Sequence, residues 1–188
     1  MRLEIRKYGD PILRVKGKRV EAVDDRVRAL AEDMLETMHA ANGVGLAAQQ
    51  VGEALQLTVI DVSQVEDRPS TMTLNGAKVE DLAAAMPLVL LNPILHLSEE
   101  KDSGTEGCLS FPDMTAEIER ALSLEMEAET LDGETIRIEA SGLLARALQH
   151  EADHLNGILF IDRMSSAAKA SLSSKLKRLQ KETQRKME

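Results

Sequence analysis

The segment from Gly142 to Asn156 constrains the fold most, because it is apolar over most of its first half and then carries His-Glu-x-x-His at positions 150–154. Ser141 precedes it as a helix-capping residue and Gly157 follows as a helix-ending residue, so the segment is predicted to be a helix. Ionisable side chains on an apolar helix need partners inside the protein. The chain is therefore predicted to pack this helix inside its β-sheets.

The remaining patterns predict an α+β fold with antiparallel or mixed sheets. The predicted elements are a helix over 24–42 that Asp24 caps, strands over 55–62 and 88–91, and a β-hairpin over 122–140 that turns at Asp132-Gly133. The strand over 88–91 is expected to stop at Asn92-Pro93. Residues 63–86 mix polar residues, Pro and Gly with brief apolar patches, which predicts a long surface loop with a short helical turn near Val79–Ala85.

Composition and charge narrow the class of protein. The 188 residues fit one compact domain, and no run of eighteen apolar residues indicates a membrane span, so a soluble protein of the cytoplasm is expected. The net charge of −9 argues against nucleic-acid binding by the body of the chain. The exception is Lys169–Glu188, where seven basic and two acidic residues give +5 and leave −14 for residues 1–168.

The basic end of the chain is predicted to be a helix. Ala167–Glu188 contains no Gly or Pro and places leucines at 172, 176 and 179, spacings that give one narrow apolar stripe. The chain is accordingly divided into a catalytic domain over 1–164 and a basic C-terminal helix over 165–188. Such a helix is either packed on the domain by its leucines or directed at an anionic partner.

The His-Glu-x-x-His pattern predicts a metal site. His150 and His154 stand four residues apart on one helix face, so their imidazoles can converge on one ion. Glu151 beside them can take a proton from a water molecule and return it to a leaving group. The alternative, two core histidines satisfied by hydrogen bonds, gives little reason for an apolar helix to gather four ionisable residues within about one turn.

The third ligand separates the families of metallohydrolases, since a catalytic site normally takes three protein ligands. In a metzincin the third ligand would be a histidine at the position that Phe160 holds, and in thermolysin-like proteases it would be a glutamate on a later helix. The downstream glutamates lie in the polar tail. Cys108 remains, within the glycine-bearing turn predicted for 104–112, although a single cysteine is also compatible with a small buried residue or a nucleophile.

Three motifs together resemble a known family. Gly43–Gln50, Glu106–Ser110 and Gln149–Gly157 resemble, in this order, the signature motifs of bacterial peptide deformylases. Tyr8–Arg14 also resembles the N-terminal Asp-Pro-x-Leu-Arg segment of that family, so the resemblance covers residues 3–164. It implies a monomeric α+β fold and removal of the formyl group from N-formyl-methionyl peptides that emerge from the ribosome.

The resemblance also implies roles for particular residues. The implied ligands of one ion per chain are Cys108, His150 and His154, the acid/base is Glu151, and the oxyanion donors are the Gln50 amide and the Leu109 N–H. The Gly45 backbone is expected to pair with the extended substrate, and Val44, Leu143 and Ala147 are expected to line a pocket for the methionine side chain. The family implies Fe²⁺ as the native ion, with Zn²⁺, Ni²⁺ or Co²⁺ as substitutes.

Two segments depart from the family pattern. Residues 63–86 are longer than is usual in bacterial members, and residues 113–117 are more acidic, so the outer substrate contacts cannot be carried over. Two other functions are alternatives to the predicted deformylase: a zincin-type metalloprotease, and a catalytically dead ribosome-associated protein with a deformylase fold. The basic helix is expected to dock at the ribosomal exit region, whereas His39 and His96 are given no role.

Overall fold

The computed structural model describes all residues from 1 to 188. The strands are β1 (Gly45–Ala47), β2 (Leu57–Ile60), β3 (Ser70–Leu74), β4 (Ala77–Lys78), β5 (Leu88–Leu97), β6 (Lys101–Cys108), β7 (Phe111–Ala121), β8 (Ser123–Glu129) and β9 (Thr135–Ser141). The α-helices are α1 (Asp25–Ala40), α2 (Leu82–Ala85), α3 (Gly142–Leu155), α4 (Ser166–Ser171) and α5 (Ser173–Lys186). Three short 3₁₀ helices cover Pro11–Arg14, Ala48–Val51 and Phe160–Arg163. None of the helices is both long enough and apolar enough to cross a membrane.

The strands form two antiparallel sheets. Seven of them make one sheet in the order β1-β2-β5-β8-β9-β3-β4, and β6 pairs with β7 as a separate hairpin. The helix α3 packs against strands of both sheets, with its apolar side chains in one core cluster with those of β2, β5, β8 and β9. This arrangement confirms the predicted α+β fold around a buried central helix.

The first helix forms as its sequence pattern predicts. Asp24 accepts a hydrogen bond from the Val27 N–H and caps α1. Ala31, Met34 and Met38 are fully buried against the sheet, in a second core cluster around β1 and β2. The position of α1 therefore fixes one side of the chain segment that leads into β1.

The strand predicted over 88–91 is longer than expected. The sequence suggested a stop at Asn92-Pro93, but β5 continues to Leu97 and its pairing with β8 shifts register between Leu91 and Ile94. Asn92 adopts a positive φ of 53° and its side chain exchanges hydrogen bonds with the Val20 backbone. A bulge lets a strand pass a proline that cannot donate to the ladder, which the local sequence does not indicate.

The segment 63–86 is more ordered than a surface loop. It contributes β3 and β4 to the edge of the large sheet, where β3 pairs with β9, and the predicted helical turn is α2. The Pro69 carbonyl accepts from the Leu143 N–H at 3.1 Å and the Ser70 hydroxyl accepts from the Leu144 N–H at 2.9 Å. Ser141 occupies the N-cap position of α3, but its side chain makes no capping bond. The predicted Ser141 cap is thus replaced by Ser70, which is far away in the sequence.

The C-terminal residues form two helices instead of one. The helical path is interrupted at Leu172, between α4 and α5. Leu176 and Leu179 are buried in a third core cluster with Leu13, Phe111 and Phe160. The apolar stripe therefore packs on the domain, and the other faces of α5 remain exposed.

Candidate active site

The buried helix α3 presents three ionisable side chains to one place. His150, Glu151 and His154 are 7%, 4% and 1% exposed. The two imidazoles lie side by side with their ring centroids 5.0 Å apart. The spacing of four residues therefore places both rings on one face of the helix, as the sequence predicted.

Cys108 completes the group from another element. It is the last residue of β6, and a turn through Leu109 and Ser110 leads into β7, so the predicted glycine-bearing turn over 104–112 is in fact a strand end followed by a tight turn. The Cys108 Sγ lies 3.3 Å from the His154 Nε2. Sγ and one nitrogen from each imidazole all lie within 4.8 Å of one another.

This donor set fits a divalent transition-metal ion. A thiolate sulfur and an imidazole nitrogen bound tetrahedrally to one ion lie about 3.5 Å apart, given metal distances of about 2.3 and 2.0 Å. The observed 3.3 Å between Sγ and Nε2 is close to that edge. Three protein donors leave a coordination position open, which is the pattern of catalytic sites. The chain therefore brings together the three predicted ligands in an arrangement suited to one ion.

Glu106 orients the His150 ring through the nitrogen that does not face Cys108. The sequence did not predict this role. Its Oε1 lies 2.9 Å from the His150 Nδ1, which leaves Nε2 of that ring to face the cysteine. The Arg120 Nε and the Arg146 Nη1 donate to its other oxygen at 2.8 and 2.9 Å. Burial by itself would raise the pKa of Glu106, but the hydrogen bonds from Arg120 and His150 outweigh it and lower the pKa to about 2.

Asp153 anchors the same network at the next turn of α3. The Arg120 Nη1 donates to its carboxylate at 2.7 Å, and the Arg163 guanidinium donates two further bonds at 3.0 and 3.1 Å. Buried charges are tolerated when each is paired and hydrogen-bonded, as here. A sequence signal existed for Asp153, which lies inside the His-Glu-x-x-His pattern. For Arg120, on a strand that alternates polar and apolar residues, we find none.

The two histidines have different electrostatic environments. Burial lowers the pKa of His154 well below its usual value, with a further lowering from the nearby His150. Burial also acts to lower the pKa of His150, but the hydrogen bonds to Cys108 and Glu106 outweigh it and raise that pKa well above the usual value. The His154 imidazole thus keeps a free lone pair, and the His150 imidazole lies where positive charge is stabilised.

Glu151 lies beside the three donors with one oxygen unpaired. Burial raises the pKa of its carboxyl to about 7, and Oε1 is buried without a hydrogen-bond partner in the protein. A Cβ added to Gly45 would lie 2.5 Å from the Glu151 Oε2, so only glycine leaves room for this carboxylate. A carboxyl with a pKa near neutral can both accept and return a proton.

Gln50 reaches the same place from the 3₁₀ helix that follows β1. Its Oε1 accepts from the Ala47 N–H at 2.9 Å, which turns the amide nitrogen toward the cysteine. The nitrogen donates to the Ser110 hydroxyl at 3.1 Å and lies 3.7 Å from the Cys108 Sγ. The Leu109 N–H makes no turn hydrogen bond. The Gln50 amide therefore lies next to the donor set, and the unpaired Leu109 N–H directly follows Cys108 in the chain.

A cleft of about 550 Å³ opens onto these groups. Val44, Leu143 and Ala147, the predicted pocket residues, all line it, and so does Gly45. The strand β1 is at the edge of the seven-stranded sheet and pairs only with β2, so the Gly45 backbone has no strand partner on its other edge. An extended peptide can pair with a free strand edge while its side chains enter adjoining pockets.

Comparison with known proteins identifies the family. The family model described as polypeptide deformylase matches residues 2–170 of the chain. The chain belongs to the polypeptide deformylase family. Its activity is that of a peptide deformylase, a metal-dependent hydrolase. The resemblance read from the sequence is confirmed, and the alternative of a zincin-type metalloprotease is wrong.

Individual relatives agree with the family model. The peptide deformylase of Methylacidiphilum infernorum is 43% identical over 181 residues, which cover 96% of this chain and 94% of that protein. A solved structure of peptide deformylase from Thermus thermophilus has a TM-score of 0.80 at 38% identity and covers 96% of this chain and 99% of its own. That from Arabidopsis thaliana has a TM-score of 0.83 at 37% identity, with 98% and 93% covered. The similarity extends over the whole fold.

Proposed function

We propose that this deformylase binds one ion through Cys108, His150 and His154 and removes the formyl group from N-formyl-methionyl peptides. The observation that carries the proposal is the convergence of these three donors beside a buried carboxylate with one unpaired oxygen. A divalent ion held by Cys108, His150 and His154 would supply Lewis-acid chemistry, which polarises a carbonyl group and lowers the pKa of water. The other parts of the reaction fall to the protein's own side chains.

Glu151 moves the proton in the proposed reaction. Its carboxylate takes a proton from the attacking water and then donates it to the amine that departs when the C–N bond breaks, so that formate and a free N-terminal methionine are released. The Gln50 amide and the Leu109 N–H donate to the oxygen on which negative charge develops. The Ala47 bond to the Gln50 Oε1 holds that amide in a donating orientation before the substrate arrives.

The substrate is proposed to bind as an added strand. The free edge of β1 at Gly45 would pair with the peptide backbone, and the methionine side chain would enter the part of the cleft lined by Val44, Leu143 and Ala147. These apolar walls suit an unbranched thioether side chain.

Variants at three positions test the proposed roles. Glu151→Gln keeps the size of the side chain but cannot shuttle a proton, so metal content should stay normal while kcat falls at least roughly a hundredfold. Gln50→Ala should lower kcat by roughly tenfold or more through the loss of one oxyanion donor. Cys108→Ser should lose tight metal binding. A formyl-Met peptide and its unformylated counterpart serve as substrate and control.

The outcomes decide whether the proposed residue roles are correct. Normal kcat in both Glu151→Gln and Gln50→Ala would contradict the mechanism, and full metal content in Cys108→Ser would contradict the ligand set. The unformylated peptide has no formyl amide and should not be hydrolysed.

The native ion is proposed to be Fe²⁺, with Zn²⁺, Ni²⁺ or Co²⁺ able to replace it. A thiolate with two imidazoles suits all four ions, so the choice rests on the family resemblance. Iron beside a thiolate is exposed to oxidation, and the iron-loaded protein should therefore lose activity in air faster than the nickel-loaded protein. Equal half-lives in air would count against iron.

The basic residues of 165–188 are proposed to direct the monomeric catalytic domain, 1–164, toward the ribosome exit region in the cytoplasm. All seven basic side chains of this segment are exposed and none forms an ion pair. They are Lys169, Lys175, Lys177, Arg178, Lys181, Arg185 and Lys186. Ribosomal RNA would attract them and repel the acidic body, which orients the enzyme toward nascent chains.

A charge-neutralised variant tests ribosome docking better than truncation, since Leu176 and Leu179 belong to a core cluster that includes Phe111 of the cleft. Changing Lys177, Arg178 and Lys181 to Gln should weaken co-sedimentation with ribosomes at low salt. The matched control changes three exposed, unpaired cations elsewhere, Lys16, Lys18 and Arg28, to Gln. Equal co-sedimentation of both variants would contradict docking through the helix.

A further inference from the structure

Arg68 is a cation on the cleft that the reaction does not use. It lies in the segment 63–86, lines the same cleft as Gly45 and Glu151, and is partly buried. Its Nη1 donates to the Thr105 carbonyl at 3.0 Å, and no carboxylate lies within ion-pair distance of it. A guanidinium carries five N–H donors in a planar fork, so most of its binding capacity is free.

The backbone next to Arg68 is fixed to the catalytic helix. Pro69 and Ser70 both accept hydrogen bonds from the first turn of α3. Gly142 has a φ of +70°, and a Cβ added there would lie 2.1 Å from the Pro69 carbonyl oxygen, so the two backbones are in close contact. Arg68 is therefore held at a defined place beside Leu143, although it comes from a long connecting segment.

The charges that line the cleft leave room for a negative partner. Arg146 and Glu106 are paired with each other inside the protein, and Glu151 belongs to the chemistry. The other charged side chains that line the cleft form its rim: two cations, Lys7 and Arg68, and one exposed anion, Asp113. On a body with a net charge of −14 over residues 1–168, this rim is a local region where an anionic group is not repelled.

We propose that Arg68 is a specificity residue that favours formyl-methionyl peptides with a carboxylate side chain at their second or third residue. The inference rests on the proposed function, because it concerns the part of the substrate that follows the methionine. A carboxylate in this position would accept two parallel N–H bonds from the guanidinium fork. For a partly exposed pair of this kind, we expect a preference of roughly three- to tenfold.

The test compares peptides that differ only in charge. C-terminally amidated formyl-Met-Glu-Ala and formyl-Met-Gln-Ala, with formyl-Met-Ala-Glu and formyl-Met-Ala-Gln, are assayed for kcat/KM. In the unmodified enzyme the Glu/Gln ratio should be about fivefold at one of the two positions. Arg68→Gln should bring this ratio to about one, and Arg68→Glu should reverse it in favour of a Lys-containing peptide.

Lys78→Gln is the matched control. Lys78 lies on β4 of the same segment, is exposed, forms no ion pair and does not line the cleft. The Lys78→Gln variant loses the same charge as Arg68→Gln. If it keeps the Glu/Gln ratio of kcat/KM, the effect of Arg68 comes from direct contact and not from the net charge of the protein. A Glu/Gln ratio of one in the unmodified enzyme, or a ratio unchanged in Arg68→Gln, would overturn the inference while leaving the deformylase reaction intact. Absence of turnover with all four peptides would overturn the proposed function and the inference with it.

Discussion

Two helices of equal length, α3 and α5, have opposite environments. Eleven of the fourteen residues of α3 are buried, including His150 and Glu151, whereas in α5 only Leu176, Leu179 and Thr183 are. Arg146 and His150 of α3 are held by Glu106, which lies on β6. The charged side chains of α5 point to solvent and form no ion pairs.

The comparison of the two helices shows that ionisable side chains become suited to proton transfer where they are buried. Burial shifts a pKa because the charged form loses its hydration, and partners then decide which form is kept. On α3 the result is a carboxyl, Glu151, with a pKa of about 7 beside a carboxylate, Glu106, with a pKa of about 2. On α5 the lysines are exposed to water without ion-pair partners, which suits long-range attraction and not proton transfer.

The largest expected effect is on the network that supports α3. Glu106→Gln removes the charge that two buried guanidinium groups share, and breaking a buried pair of this kind costs about 3–5 kcal/mol of unfolding free energy. Denaturant unfolding of the metal-free protein measures it. Glu182→Gln on the exposed side of α5 is the control and should change the free energy by less than about 0.5 kcal/mol. Similar values for both variants would break the contrast between the two helices.

Leucine truncation measures how much apolar packing each helix contributes. Leu144 is 0% exposed on α3, and Leu176 is 7% exposed on α5. Leu144→Ala should cost about 3–5 kcal/mol and Leu176→Ala about 2 kcal/mol, since a site near the surface can relax around the cavity. Thermal and denaturant unfolding of the two variants give the comparison. A larger loss for Leu176→Ala would show that the C-terminal helix is the stronger contributor to the core.

Removal of the helix caps should change the unfolding free energy by a smaller amount. Ser70 caps α3 from a distant strand, and Ser165 caps α4 locally by accepting from the Ala168 N–H at 3.1 Å. Ser70→Ala should cost about 1 kcal/mol and Ser165→Ala about 0.5 kcal/mol, because solvent replaces an exposed cap more readily. Ser70→Ala should also weaken the hydrogen-exchange protection of the first turn of α3. Unchanged protection there would mean that Pro69 alone fixes the helix start.

The smallest expected effect concerns Asp162, in the 3₁₀ helix that connects the two regions. Burial acts to raise the pKa of Asp162, but hydrogen bonds from Arg14 and the Leu159 N–H outweigh it and lower the pKa below its usual value. A lowered carboxyl pKa adds stability above the unfolded-state value of about 3.9 that is lost as pH falls. Asp162→Asn should therefore cost roughly 0.3 kcal/mol at pH 7, and this difference should shrink below about pH 4. A cost independent of pH would contradict the ionic contribution.

Part of the fold was predicted correctly from local sequence patterns. Asp24 and the apolar residues after it predicted α1, and the alternation around Asp132-Gly133 predicted the β8–β9 hairpin. These elements follow from periodicity and turn chemistry that act within a few residues. Sequence reasoning failed at Asn92-Pro93 and in residues 63–86, where pairing with a distant strand overrides the local signals.

The sequence by itself determined the family and the central chemical pattern of this protein. His150 and His154 had to share a face because a helix repeats every 3.6 residues, and the three motifs identified Cys108 as their companion. Only the tertiary structure decided what surrounds them. The His150 bond to Glu106, the Gly45 backbone against Glu151 and the placement of Arg68 on the cleft join residues that are far apart in the chain. Such contacts depend on sheet register and helix packing, which no short stretch of sequence encodes.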